Sequence, residues 1–214
     1  MNPILKPADI EKRSFAIITE ELGDRTFPEG QAEIVKRVIH TSADFDYADN
    51  LVFSPDAVEK AKDALREGAT VVTDTNMALS GVSKSVLAKL GGQAVCFMAD
   101  EDVAREAKAR GVTRAVVSME HAAKLEGPVI FAIGNAPTAL IRLHELIEAG
   151  EIEPALVIGV PVGFVNVVES KELFLDGNKT PYIIARGRKG GSNVAAAIVN
   201  ALLYQLYTRE GFET

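Results

Sequence analysis

Apolar residues fall at helical spacing through the first forty positions, and the period then shortens. Over residues 9–22, Ile10, Ser14, Ile17, Ile18 and Leu22 share one face, which predicts an amphipathic helix. Residues 29–40 predict a second, with Ile34, Val35, Val38 and Ile39 inward. LVFS, 51–54, predicts a short strand. Ser54 then offers an N-cap and Pro55 a first helical position, for a helix through Arg66 that Gly68 closes. From there apolar runs and helical patterns alternate. TVVTD (70–74), AVCFM (94–98), PVIFAIG (128–134), ALVIGVPVGF (155–164, strand plus exit loop) and TPYIIARG (180–187) predict strands. Helices are predicted over 82–90, 101–110, 138–148, 169–175 and 192–207; the last is apolar nearly all round, and so either buried or at an interface. Residues 114–118 read as either strand or helix.

Continuously apolar strands separated by helices imply a parallel sheet covered on both faces. With right-handed crossovers, the expected fold is α/β: a doubly wound, mainly parallel sheet in a three-layer α/β/α sandwich. The 214 residues fit one domain, 1–214. In such sheets ligands bind beyond the carboxyl ends of the strands, so the strand-exit loops are where chemistry is expected.

Composition narrows the partners. Aromatic residues make up 6% of the chain and tryptophan is absent, which argues against a base-stacking platform. The formal charge is −7 and no basic cluster dominates, so neither nucleic acid nor an anionic membrane is expected as a partner. An acidic ligand would have to be caught locally, by arginines and helix starts, against an unfavourable overall field. Cys96, in an apolar run, reads as a core thiol, and one cysteine allows no disulfide within the chain. The amino-terminal MNPILKPADIEK has no apolar signal core and no stretch reaches membrane-span length, so the expected location is cytoplasmic.

Candidate chemistry is sparse. His40 stands at a helix end beside Thr41, Ser42 and Asp44, one of three histidines in the chain. Histidine is the side chain suited to moving protons near neutral pH, but a helix-end histidine can equally be satisfied by a backbone or carboxylate partner. The loop Gly134-Asn135-Ala136-Pro137-Thr138 joins a strand to a helix whose first amides could hold a carboxylate or phosphate; it also reads as an ordinary turn. Gly187-Arg188-Lys189-Gly190-Gly191-Ser192 resembles an anion cradle without the ending of a P-loop. There is no G-x-G-x-x-G after a strand, no G-x-S-x-G elbow and no zinc-like spacing, so neither a metal nor a dinucleotide is expected. His121 and His144 read as solvated surface residues.

Six blocks, in order along the chain, carry a resemblance. They are EKRSFAII (11–18), RVIHTSADFD (37–46), TDTNMALSGV (73–82), AIGNAPTALIRL (132–143), IGVPVGFVNVVESKE (158–172) and GRKGGSNVAAAIVNALL (187–203). Together they resemble the precorrin-8X methylmutase family, which includes the cobalt-precorrin-8 enzymes of vitamin B12 synthesis. The resemblance implies an isomerase that moves a methyl group from carbon eleven to carbon twelve of a contracted tetrapyrrole, giving hydrogenobyrinic or cobyrinic acid. No cofactor and no external methyl donor are implied. His40 matches the family histidine taken to place a proton on, or hydrogen-bond, the macrocycle.

A tetrapyrrole fringed with carboxylates needs discrete donors. The candidates are Arg13 and Ser14 on the first helix, then Thr73 and Asn76 in the TDTN loop. Arg114, the GNAPT residues Gly134, Asn135 and Thr138, Lys171, and Gly191 with Ser192 complete the set. The flat ring implies a broad cleft, and the family resemblance implies a homodimer with that cleft near the subunit boundary. Two alternatives stay open: a tetrapyrrole carrier without turnover, and a nucleotide-using enzyme built on GRKGGS.

Overall fold

The computed structural model of the chain describes residues 7–175 and 180–207. Residues 1–6, read above for a targeting core, lie outside the described residues. The first helices are α1 (Pro7–Leu22), α2 (Gln31–Ser42) and α3 (Tyr47–Asn50), followed by β1 (Leu51–Phe53), α4 (Ala57–Arg66) and β2 (Thr70–Thr73). Next come α5 (Asn76–Gly81), α6 (Lys84–Lys89), β3 (Gln93–Val95), α7 (Glu101–Arg110) and α8 (Arg114–Ala122). The chain continues through β4 (Val129–Ile133), α9 (Pro137–Glu148), β5 (Leu156–Gly159), α10 (Val167–Leu175), β6 (Tyr182–Ala185) and α11 (Ser192–Leu206).

The six strands lie in the order β1-β6-β5-β4-β2-β3. All neighbours run parallel except β1, which pairs antiparallel with β6 at the edge. Side chains alternate across the sheet. Val71, Ile130, Ile158 and Ile183 join the core made with α2, α4, α6 and α11. Val72, Phe131, Val157 and Ile184 join the opposite core, made with α8, α9 and α10. Both faces are therefore buried, which is why the strands read as unbroken apolar runs. The sandwich has the three layers expected. The last helix is part of the core, with Val194 to Val199 and Ala201 to Leu203 buried. Among the described residues no helix is long and apolar enough to cross a membrane.

Three local readings are corrected. Ser54 does not cap a helix: its hydroxyl accepts from the Tyr182 amide at 2.9 Å, and its own amide donates to the Tyr182 carbonyl at 3.0 Å. That residue extends the β1–β6 pairing, and α4 opens two residues later, after Asp56. AVCFM does not stay extended. β3 is an edge strand whose only neighbour is β2, and past Val95 the chain turns through a 3-10 turn, Phe97–Ala99. Residues 114–118 are helical, capped by Thr113.

The strand order reverses between β2 and β4: after β2 the chain steps outward to β3, then returns to the other side. Such a reversal leaves a crevice at the carboxyl ends, where open α/β sheets bind ligands. The TDTN and GNAPT loops leave β2 and β4 at that point.

Candidate active site

Three consecutive residues at the end of β2 tie the crevice together. Thr73 is fully buried, and its hydroxyl lies 3.1 Å from the Thr75 carbonyl and 3.4 Å from that of Val95, at the exit of β3. Asp74, also fully buried, accepts from the amides of Gly134 (2.9 Å), Asn135 (2.8 Å) and Ala136 (2.6 Å). The Thr75 hydroxyl caps α5 through the Ala78 amide and lies 2.7 Å from the Ser192 hydroxyl at the start of α11. Burial pushes the Asp74 carboxyl above the usual carboxylate range, and the three amide bonds pull the other way.

This corrects the reading of the GNAPT loop. Its amides do not stand open for a substrate anion, because the protein's own carboxylate occupies them. Gly134 is needed for a different reason: a Cβ there would lie 2.7 Å from Ser192 Cα and 2.8 Å from the Gly191 carbonyl. The loops leaving β4 and β6 touch through that residue. Asn135 keeps its side chain exposed above the junction, as does Asn76.

Beneath the loop leaving β6 lies Lys171, with 1% of its surface exposed. Its Nζ donates to the carbonyls of Gly187 (2.7 Å) and Lys189 (2.9 Å). Burial lowers its pKa to about 8. Lys171 is thus turned inward onto the protein's backbone rather than outward to a ligand, and Thr73 is likewise turned inward. Above them Arg186, Arg188 and Lys189 are exposed, and the Arg188 guanidinium lies 5.4 Å from the Phe164 ring centroid. α11 opens at Gly191, which has no side chain to cap the helix start.

His40 sits in the last turn of α2, exposed, with its ring 5.3 Å from that of Phe15. α1 is thereby held against His40 through Phe15; of its two candidates, Arg13 is exposed, and the Ser14 hydroxyl donates to the Ile10 carbonyl. Just past His40, Ala43 turns the chain in a left-handed conformation. Asp44 and Asp46 follow, and each places a carboxylate oxygen 2.6 Å from Lys189 Nζ. Lys189 so ties the segment carrying His40 to the glycine-rich loop. A third group lies beyond the GNAPT loop: the Thr138 hydroxyl is 3.1 Å from that of Thr113, beside the exposed Arg114. His121 and His144 are half-buried rather than solvated: His121 lies 3.4 Å from Glu106, and the His144 ring packs edge-on against Phe174.

Three cavities, of about 940, 420 and 360 Å³, lie away from His40. The first is at the amino ends of the strands, by Pro128 and Pro181, and the second is a groove between α1, α2 and α11 that shares Phe15 with His40. The carboxyl end is instead an open surface, with Phe164 82%, Val165 78% and Met77 72% exposed.

The residues missed in the sequence are Asp74, Thr75 and Phe164. Asp74 did leave a signal. The turn Gly134 to Ala136 before α9 has at its N-cap, Ala136, no side chain that can accept from its successive amides, so a buried polar residue near that turn is the acceptor to look for.

Similarity to known proteins runs nearly the whole length. A family profile described as precorrin-8X methylmutase matches residues 9–205. A cobalt-precorrin-8 methylmutase of Salmonella typhimurium is 49% identical, over 96% of this chain and 99% of the relative. One from Priestia megaterium is 48% identical over 92% and 88%. A precorrin-8X methylmutase of Pseudomonas aeruginosa is 43% identical over 90% and 93%. The solved structure of precorrin-8X methyl mutase from Thermus thermophilus superposes with a TM-score of 0.83 at 38% identity, covering 91% of this chain and 94% of that one. The chain belongs to the precorrin-8X methylmutase family, isomerases of cobalamin biosynthesis.

Proposed function

We propose that the open carboxyl end of the sheet binds precorrin-8X or cobalt-precorrin-8 and that His40 assists the migration of its methyl group from carbon eleven to carbon twelve. One carbon–carbon bond breaks and one forms on the same ring, so atoms and electrons balance without an oxidant or an external donor. Such a shift needs the π system biased toward product. A proton placed on, or hydrogen-bonded to, a ring nitrogen supplies that bias, and one imidazole suffices. The supporting observation is the Lys189 bridge, which joins the His40 segment to the loop bearing Arg188, Gly191 and Ser192.

The substrate's carboxylates meet Arg13, Arg114, Arg188 and the start of α11, with Ser14, Asn76, Asn135, Thr138 and Ser192 as neutral donors. Thr73, Gly134 and Lys171 act from beneath as supports. A second copy of the chain covers the open surface, so that the cleft is completed in a homodimer; exposed Met77, Phe164 and Val165 favour that reading. The protein works in the cytoplasm as one domain over residues 1–214.

The test is to incubate the purified protein with metal-free and cobalt-loaded substrate and follow the visible spectrum. Conversion of either substrate is the expected result and identifies which one is used. Binding without conversion would replace this reading with that of a carrier.

A further inference from the structure

We propose that Asp74 is the positioning residue of the strand-exit surface: its carboxylate fixes three consecutive amides around Asn135 and so aims the Asn135 carboxamide at the bound tetrapyrrole. This rests on the reading of that surface as the substrate site.

The geometry is specific. One carboxylate oxygen accepts from Gly134, and the other accepts from both Asn135 and Ala136. The amide of Asn135 is therefore held together with the amides on either side of it, and the direction of its Cα–Cβ bond follows from them. The side chain itself stays exposed. Asp74 in turn is fully buried at the end of β2, between Thr73 and Thr75, whose hydroxyls reach the exit of β3 and the start of α11. The carboxylate thus registers Asn135 against Ser192, through a frame of three strands and a helix start.

Placing a carboxylate there has a second consequence. The turn between a strand and a helix at the reversal of a sheet is where an anion would ordinarily bind. Asp74 takes up the three amides of that turn, Gly134 to Ala136, just before α9. A carboxylate of the substrate is repelled from that turn and directed to the loop leaving β6, where Arg188 is exposed and Lys189 is already paired with Asp44 and Asp46. The GNAPT loop then contributes orientation through a neutral side chain, not charge.

A positioning role and a purely structural one differ in what they move. Asp74→Asn keeps the size and one acceptor oxygen. In the folded enzyme it should raise KM about tenfold while kcat stays within about twofold, the pattern of lost uniform binding. Combined with Asn135→Ala, it should add little further, because Asp74 acts through that side chain. Asp74→Gly opens a hole of carboxylate size, and added formate should restore its KM in a concentration-dependent way. An unchanged KM in folded Asp74→Asn, multiplicative losses with Asn135→Ala, or a Gly variant indifferent to formate would each overturn the proposal. Wild-type protein that fails to convert either substrate would instead remove the functional reading beneath it.

Discussion

The loops leaving β4 and β6 occupy equivalent places, each joining a parallel strand to a helix, yet they are held by opposite charges. The first is gripped by a buried carboxylate that accepts three amide hydrogens. The second is gripped by a buried ammonium that donates to two carbonyls. The polarity of the backbone to be satisfied dictates the choice: the turn before α9 presents three successive amide donors, whereas the longer glycine-rich loop folds carbonyls inward. The outer surfaces differ accordingly. The turn before α9 is filled by a negative group, while the start of α11 has no side-chain cap and stands near exposed Arg186 and Arg188 and near Lys189, which is paired with Asp44 and Asp46. In the function proposed above, the two turns serve as an orienting wall and an attracting wall for one acidic ligand.

The largest expected effect breaks the first grip. Asp74→Ala leaves three amides without their acceptor and should cost roughly 3–5 kcal/mol in urea unfolding. A loss below that of the Lys171 variant would reverse the ranking of the two loops. Lys171→Met should cost less, roughly 1–3 kcal/mol at neutral pH, because two carbonyls lose a donor while a burial cost is removed. Its pH dependence sharpens the contrast. The folded-state pKa is lowered to about 8 from 10.5, so between those values the unfolded chain holds the proton and the folded chain does not. Wild-type stability therefore gains from this group as pH rises through that window, and the gap to Lys171→Met should widen from pH 8 to pH 10.5. A gap that narrows would show that the ammonium is not desolvated as described. The smallest structural effect belongs to the outer surface. Arg188→Ala should leave the urea midpoint nearly unchanged and raise KM about three- to tenfold, with a weaker salt dependence than the wild type. An unchanged KM would mean that this wall does not attract the substrate.

Much of this was legible from pattern. The runs at 129–133 and 156–159 are apolar at successive positions, and the run at 70–73 is β-branched throughout, because both faces of the sheet are covered, and they announced a parallel sheet. The helix at 101–110 appears with the predicted bounds. Edges were harder to read: β3, at the edge beside β2, ends at Val95 opposite Val72, although the sequence stays apolar through Met98. α5 was missed because six residues without charge show no periodicity. The strand-exit loops were found as places, but the partners inside them were not. Asp74 looked like one polar residue of a polar loop, and its three bonds span sixty residues or more of sequence. Lys171 was read as a donor to a substrate carboxylate, and only the folded chain shows the carbonyls it serves instead.

The central claim is that His40 moves or holds the proton that the methyl shift requires. The most direct measurement compares His40→Ala with wild type for binding of the product and for conversion of substrate in a single turnover. Product affinity should stay within about threefold while the conversion rate falls by roughly 10²–10⁴. Conversion near the wild-type rate, with binding intact, would contradict the account.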